Sequence, residues 1–214
     1  MHRCSSSPIL TRTPHRIRIQ SAPFYLNDRT AQYVMTEKVD GSSGTFALVR
    51  HKRFLLPDKF EYYVCSRNRR LPVPDASIYW AVSDKYKLEA TLRNMIGKKD
   101  WIAIQGECVG PKVQGNKYKL TEPRLFAFNL IDSASGRHGS TFAAGLLETR
   151  GIDFVPILGT NRQLPETVDE MVAMADGKSV INRDVIREGL VVRSADGSIS
   201  FKAVSNAYLL KYKE

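Results

Sequence analysis

Three things are scarce in this 214-residue chain: cysteine, long apolar runs, and acid near its start. Cys4, Cys65 and Cys108 are odd in number and far apart, which argues against a disulfide framework or a zinc cluster and for a reducing compartment. No stretch approaches the roughly 18 apolar residues of a membrane-spanning helix, so no membrane association and a cytoplasmic location are expected. Residues 1–27 contain no Asp or Glu. The opening MHRCSSSPILTRTPHRIRI is basic and carries serines as a targeting segment would, yet Pro8 and Pro14 suit a long amphipathic helix poorly. Internal repeats and low-complexity linkers are absent as well, and the length suits one well-buried core. A single domain over residues 1–214 is expected, with 1–15 as a flexible lead-in.

What is present is positive charge: Lys+Arg 32 against Asp+Glu 22, a net +10. Such an excess attracts polyanions, nucleic acid first. Part of it lies in residues 50 to 70, with Arg50, Lys52, Arg53, Lys59, Arg67, Arg69 and Arg70. Hydrophobic residues at 43% and charged residues at 25% are ordinary for a globular protein.

YVMTEKV, EYYVCS, DWIAIQGECV, RLFAFNLI, GLVVRS and SISFKAV alternate or run apolar as strands do. Residues 78 to 96 carry apolar side chains at mostly helical spacing and stop at Gly97, which predicts one helix. TVDEMVAMADG opens with a capping box, Thr167 and Glu170, and ends at Gly177. Strands outnumber helices and lack a repeated βαβ rhythm. The expected class is α+β, mainly antiparallel sheets with flanking helices.

Some charges sit where strands make them costly. Lys38 and Asp40 flank Val39 before Gly41; Glu107 ends an apolar strand; Glu188 begins another and Lys202 lies inside the next. By itself Lys38 beside Asp40 reads as a surface ion pair. Several such exceptions on sheets suggest convergence on a ligand or on each other.

Six stretches, in order, resemble one superfamily. EKVDG (37–41) is similar to the nucleotidyl-lysine motif of covalent nucleotidyltransferases, SRN (66–68) to the second motif and QGE (105–107) to the third. FAFNLID resembles the aromatic motif, EGLVVR the fourth and SFKAVSNAYLLK the fifth. Over roughly residues 16–211 the chain looks most like the ATP-dependent RNA ligases, with DNA ligases, capping enzymes and a catalytically silent nucleic-acid-binding module as alternatives. The resemblance implies the ligase adenylation fold and a nucleophilic Lys38. Lys38 would take AMP from ATP as a phosphoramide, pass it to an RNA 5′-phosphate, and let a 3′-hydroxyl displace it. It further implies Mg²⁺, with Mn²⁺ as a substitute, held at Glu188; Lys202 on the α-phosphate; and Arg67 on a phosphate of ATP or RNA. The base and sugar would be met by the backbone of Glu37, by Phe128 stacking and by Glu107 on the ribose, with Asp40 and Gly41 also in the nucleotide site.

Two departures stand out. Where many relatives have a second lysine two residues after the first in the fifth motif, this chain has Val204. Relatives also commonly carry an oligonucleotide-binding or helical domain that is not read here, so an accessory protein or domain in trans is a candidate partner beside RNA. The turn between the last two motifs supplies a geometric expectation. A two-residue Asp196-Gly197 loop would set Val191 opposite Lys202, and Glu188 and Lys202 on opposite faces. A three-residue loop from Ala195 to Gly197 would set Leu190 opposite Lys202 and both charges on one face. The shared site calls for the three-residue loop.

Overall fold

The computed structural model describes residues 31–72, 76–195 and 199–212. The amino-terminal basic stretch, Cys4 and the Asp196-Gly197 turn lie outside them. The class is α+β, with nine strands and five α-helices among the described residues. The chain divides into two compact units, one mainly Gly41–Asn116 and Leu120–Phe154, the other mainly residues up to Asp40, Lys117–Lys119 and Val155 onward.

The first unit is built on a five-stranded antiparallel sheet in the order β3-β2-β4-β5-β6. Its strands are β2 (Ser42–His51), β3 (Lys59–Ser66), β4 (Trp101–Val109), β5 (Arg124–Asp132) and the short β6 (Gly136–Arg137). Phe46 and Leu48 pair with Ile104 and Ile102, and all four are buried. Helix α1 (Ile78–Lys85) lies against this face, where Tyr62 meets Trp80 edge to face and bonds Ser83. Helix α2 (Leu88–Met95) follows after a break. The single helix expected over 78–96 is therefore two, with Lys87 left-handed at φ 49. On one continuous helix Val82 and Leu88 would sit about 120° apart around the axis at about 100° per residue. The break rephases the chain, and both side chains reach 0% exposure. Helix α3 (Ser140–Glu148) completes this unit.

The second unit carries the order β7-β1-β8-β9, again antiparallel, from β1 (Tyr33–Lys38), β7 (Ile157–Arg162), β8 (Gly189–Ser194) and β9 (Ser200–Val204). Strict alternation divides it. Met35, Leu190, Val192, Phe201 and Ala203 point into a buried cluster with Met171 and Ala175 of helix α4 (Val168–Ala175). Thr167 and Glu170 form the capping box read from the sequence. At the other end of α4, Arg187 donates to the carbonyls of Met174, Ala175 and Asp176, satisfying acceptors that a helix terminus leaves open. Helix α5 (Asn206–Tyr212) begins at Ser205, whose Oγ accepts from the Tyr208 N–H at 3.0 Å. No helix among the described residues is long and apolar enough to cross a membrane.

Candidate active site

The face of the second sheet opposite its core holds the charges. Lys38 pairs with Gly189, which pairs with Val204; Thr36 pairs with Val191, which pairs with Lys202. Cross-strand partners share a face, so Lys38 and Lys202 lie on the same side two residues apart in register. Val191, not Leu190, is opposite Lys202. This corrects the expectation drawn from a three-residue loop: the register is the one that, along an uninterrupted strand, separates Glu188 from Lys202.

Glu188 nevertheless joins Lys38 in a direct ion pair, both side chains less than one-fifth exposed. The device is Gly189, at φ +152. By alternation from Leu190, Glu188 belongs on the core side; the glycine's backbone, open only to a residue without Cβ, turns it back. The ladder continues beyond the break, with Ser205 N–H on the Glu188 carbonyl at 2.9 Å. Burial holds the Glu188 carboxyl above its usual pKa, while the charges of Lys38 and Lys202 pull it down and Asp40 raises it further. Its Oε2 is buried without a hydrogen-bond partner.

Asp40 is fastened by residues to which the motifs assign no role. Lys117 Nζ reaches Asp40 Oδ2 at 2.8 Å, the Tyr208 hydroxyl donates to the same oxygen at 2.6 Å, and the Asp40 N–H donates to the Tyr118 hydroxyl at 2.8 Å. Lys117 also lies 4.8 Å from the Tyr208 ring centre and 4.6 Å from that of Tyr212. SNAYLLK lies in the fifth-motif stretch, whereas QGNKY lies in the loop after β4, outside all six. What joins them is contact between residues far apart in sequence.

Glu37 points the other way. Its carboxylate is 1% exposed and receives Ser179 Oγ at 2.5 Å and the Val180 N–H at 2.8 Å, while its own N–H donates to the Pro156 carbonyl at 2.8 Å. Burial raises its pKa against the opposing pull of those hydrogen bonds and of Arg187 and Arg183. Folding therefore favours the protonated form, and the stability this group supplies below pH 4.5 is lost as pH rises through its folded pKa. Glu37→Gln, neutral throughout, is expected to gain in melting temperature relative to the parent as pH is raised from 4.5. A difference that stays constant as pH rises would contradict it.

The remaining candidates lie in the first unit. Gly41 is pressed onto the end of β4: a Cβ there would meet Cys108 O at 2.6 Å and Glu107 Cγ at 2.9 Å. Glu107 ends a polar row on the face of β2, β4 and β5 opposite α1, in which Asn129 donates to Gln105 at 2.8 Å and Gln105 to Thr45 at 3.3 Å. Phe128 is the extra residue of a bulge, since Gln105 pairs with Asn129 but Gly106 with Ala127. It is half-buried, whereas Phe126, opposite Glu107, is buried under the Arg124 guanidinium. Arg67 is exposed just past β3. The structure thus gathers Lys38, Asp40, Glu188 and Lys202 in one unit and Gly41 with Glu107 in the other.

Residues 31–213 match the RNA ligase family. The chain belongs to that family. Among solved structures it is similar to a Naegleria gruberi RNA ligase variant with ATP and manganese, at 29% identity and a TM-score of 0.82, over 97% of this chain and 60% of that one. The same ligase with pyrophosphate matches at 30% identity and a TM-score of 0.82, over 97% and 59%. A further variant with AMP and manganese matches at 29% and 0.81, again over 97% and 59%. The chain therefore spans about three-fifths of the length of these ligases. No curated protein sequence matches it. The likeness also agrees with the adenylation fold that the six motifs implied.

Among the described residues no group of three or more His, Cys, Asp or Glu side chains converges. One buried carboxylate with an unsatisfied oxygen, Glu188, is the fitting donor for a hard cation that takes its other ligands from phosphate and water.

Proposed function

We propose that this chain is the nucleotide-transferring part of an ATP-dependent RNA ligase that works through a lysyl-AMP intermediate. The observation that carries the reading is the shared face of Lys38 and Lys202, with Glu188 turned onto Lys38, in a chain of this family.

Lys38 Nζ attacks the α-phosphorus of ATP; the N–P bond forms as the bond to the β-phosphate oxygen breaks, and pyrophosphate leaves with the electron pair. Lys202 meets the non-bridging oxygens of the α-phosphate, where negative charge must be held through the in-line displacement. Glu188 is the residue that would hold Mg²⁺ or Mn²⁺, which supplies charge neutralisation at the phosphates. Asp40 is kept from drifting onto Lys38 by Lys117 and Tyr208, so its carboxylate is oriented before nucleotide arrives. The Glu37 N–H is already bonded to Pro156, which leaves its carbonyl as the backbone group for the adenine edge. The motif resemblance supports Phe128 for stacking on the base, Glu107 for the ribose, Gly41 in the nucleotide site and Arg67 for a phosphate of ATP or RNA. AMP then moves to the 5′-phosphate of RNA, and a 3′-hydroxyl displaces it to seal the strands.

A 5′-phosphorylated RNA strand and a 3′-hydroxyl strand, incubated with the chain and ATP, test the reading on a denaturing gel. A sealed product and an adenylated 5′ end are expected. Sealing that requires GTP, or a DNA acceptor in place of RNA, would move the chain to another nucleotidyltransferase class. An accessory domain or protein in trans is expected to speed sealing of a pre-adenylated strand.

RNA affinity should depend steeply on salt, because a +10 chain releases counterions from the phosphates it neutralises. Four phosphate contacts on a single strand predict a loss of at least about tenfold between about 50 and about 200 mM salt. A flat response would make the basic excess a solvated surface.

A further inference from the structure

The antiparallel ladder has a gap beside Lys38. Thr36 of β1 pairs with Ile157 of β7, so the next residues along, Glu37 and Pro156, face each other, and the Glu37 N–H donates to the Pro156 carbonyl at 2.8 Å. In a hydrogen-bonded antiparallel pair the partners exchange two bonds. Here the return bond cannot form, because proline has no N–H. A strand residue's N–H and C=O point to the same side, so the Glu37 carbonyl is aimed at Pro156 with no N–H there to donate to it. The β1–β7 register also shifts between Met35 and Thr36, next to this pair, as it does again between Tyr33 and Met35.

Resting on the proposed function, we infer that Pro156 is a positioning residue for nucleotide selection: by withholding a donor it keeps the Glu37 carbonyl open to accept the 6-amino group of adenine. That carbonyl belongs to the same planar peptide as the Lys38 nitrogen. A base held there is tied directly to the backbone of the nucleophile. Guanine presents an oxygen acceptor at the corresponding position, which a carbonyl rejects, and a purine without the amino group leaves the carbonyl unsatisfied. Any other residue at 156 brings an N–H at the ladder position, which competes for the acceptor.

The test compares adenylate-type adduct formation from ATP and from purine riboside 5′-triphosphate, which lacks the 6-amino group, in the full chain and in Pro156→Ala and Pro156→Gly. The parent is expected to favour ATP by about tenfold in kcat/KM, the worth of one hydrogen bond. In both variants the ratio should fall towards one through a higher KM for ATP, with the rate on the amino-free triphosphate unchanged. The new amide at 156 should be protected from hydrogen exchange. A merely structural proline would change both nucleotides alike. A parent ratio near one, an unchanged ratio in whichever variant folds, or an unprotected amide at 156 overturns the inference while leaving the ligase reading intact. Failure of the parent to form any adduct with ATP removes the ligase reading and this inference with it.

Discussion

Incubated with ATP and Mg²⁺, the parent chain is expected to gain one adenylate mass, and Lys38→Ala none. The expectation rests on position rather than on the motif alone. Lys38 closes β1 on the face shared with Lys202, and its amine is held by Glu188 instead of being spent on Asp40, which Lys117 and Tyr208 occupy. Removing a nucleophile leaves binding intact but no route to the covalent state, so adduct formation should drop by at least about a thousandfold. Binding offers the control: a non-hydrolysable ATP analogue should raise the melting temperature of Lys38→Ala about as much as that of the parent, by mass action on the folded state. An adduct that persists in Lys38→Ala, or maps to another lysine, would overturn the assignment. An adduct formed with GTP and not ATP would retain the nucleophile and change the nucleotide.

The candidate residues were legible in sequence wherever their signal was local. Lys38, Glu107, Glu188 and Lys202 announced themselves as charges on strands, and the capping box at Thr167 needed only four consecutive residues. Signals that depend on pairing between distant segments were not legible. Lys117 meets Asp40 across a separation that no local pattern spans, and Pro156 matters only because it faces Glu37. The helix break at Lys87 was hidden for a different reason: the sequence there has neither Gly nor Pro, and the tertiary burial of Val82 and Leu88 outweighs the cost of a left-handed lysine.

The hairpin has a different register from the one expected, yet Glu188 still meets Lys38. Parity along an uninterrupted strand would place Glu188 and Lys202 on opposite faces in the observed register, the conflict that a three-residue loop would remove. The chain solves the problem at the start of β8 instead of at the turn. EGLVVR contains the solution in its second letter, but a glycine read from sequence says only that its backbone is free, not which way it bends.

Gly189 should therefore be the position in this sheet least tolerant of a methyl group. Two independent effects act there. An ideal Cβ would stand 2.1 Å from the Ala203 carbonyl oxygen and 2.9 Å from Val204 Cα, both backbone atoms of β9 that cannot swing away as a side chain would. The φ of +152 is also one that an L-residue with a Cβ rarely adopts. Relief of the contact requires β8 and β9 to separate, or Gly189 to return to an extended φ, and either movement carries Glu188 away from Lys38. Gly189→Ala is expected to lose about 2–4 kcal/mol of stability from strain and overpacking combined, and whatever folds should form adduct at least about a hundredfold more slowly, as expected when reacting groups are displaced by about 1 Å. Gly145→Ala is the matched control, a helical glycine with no atom within 4 Å of the added carbon, and it should be neutral or stabilising. Urea denaturation gives the first quantity and single-turnover adduct formation the second. If Gly189→Ala melts with the parent and adenylates at the parent's rate, the turn at Gly189 does not hold Glu188 on Lys38, and the shared face loses its third member.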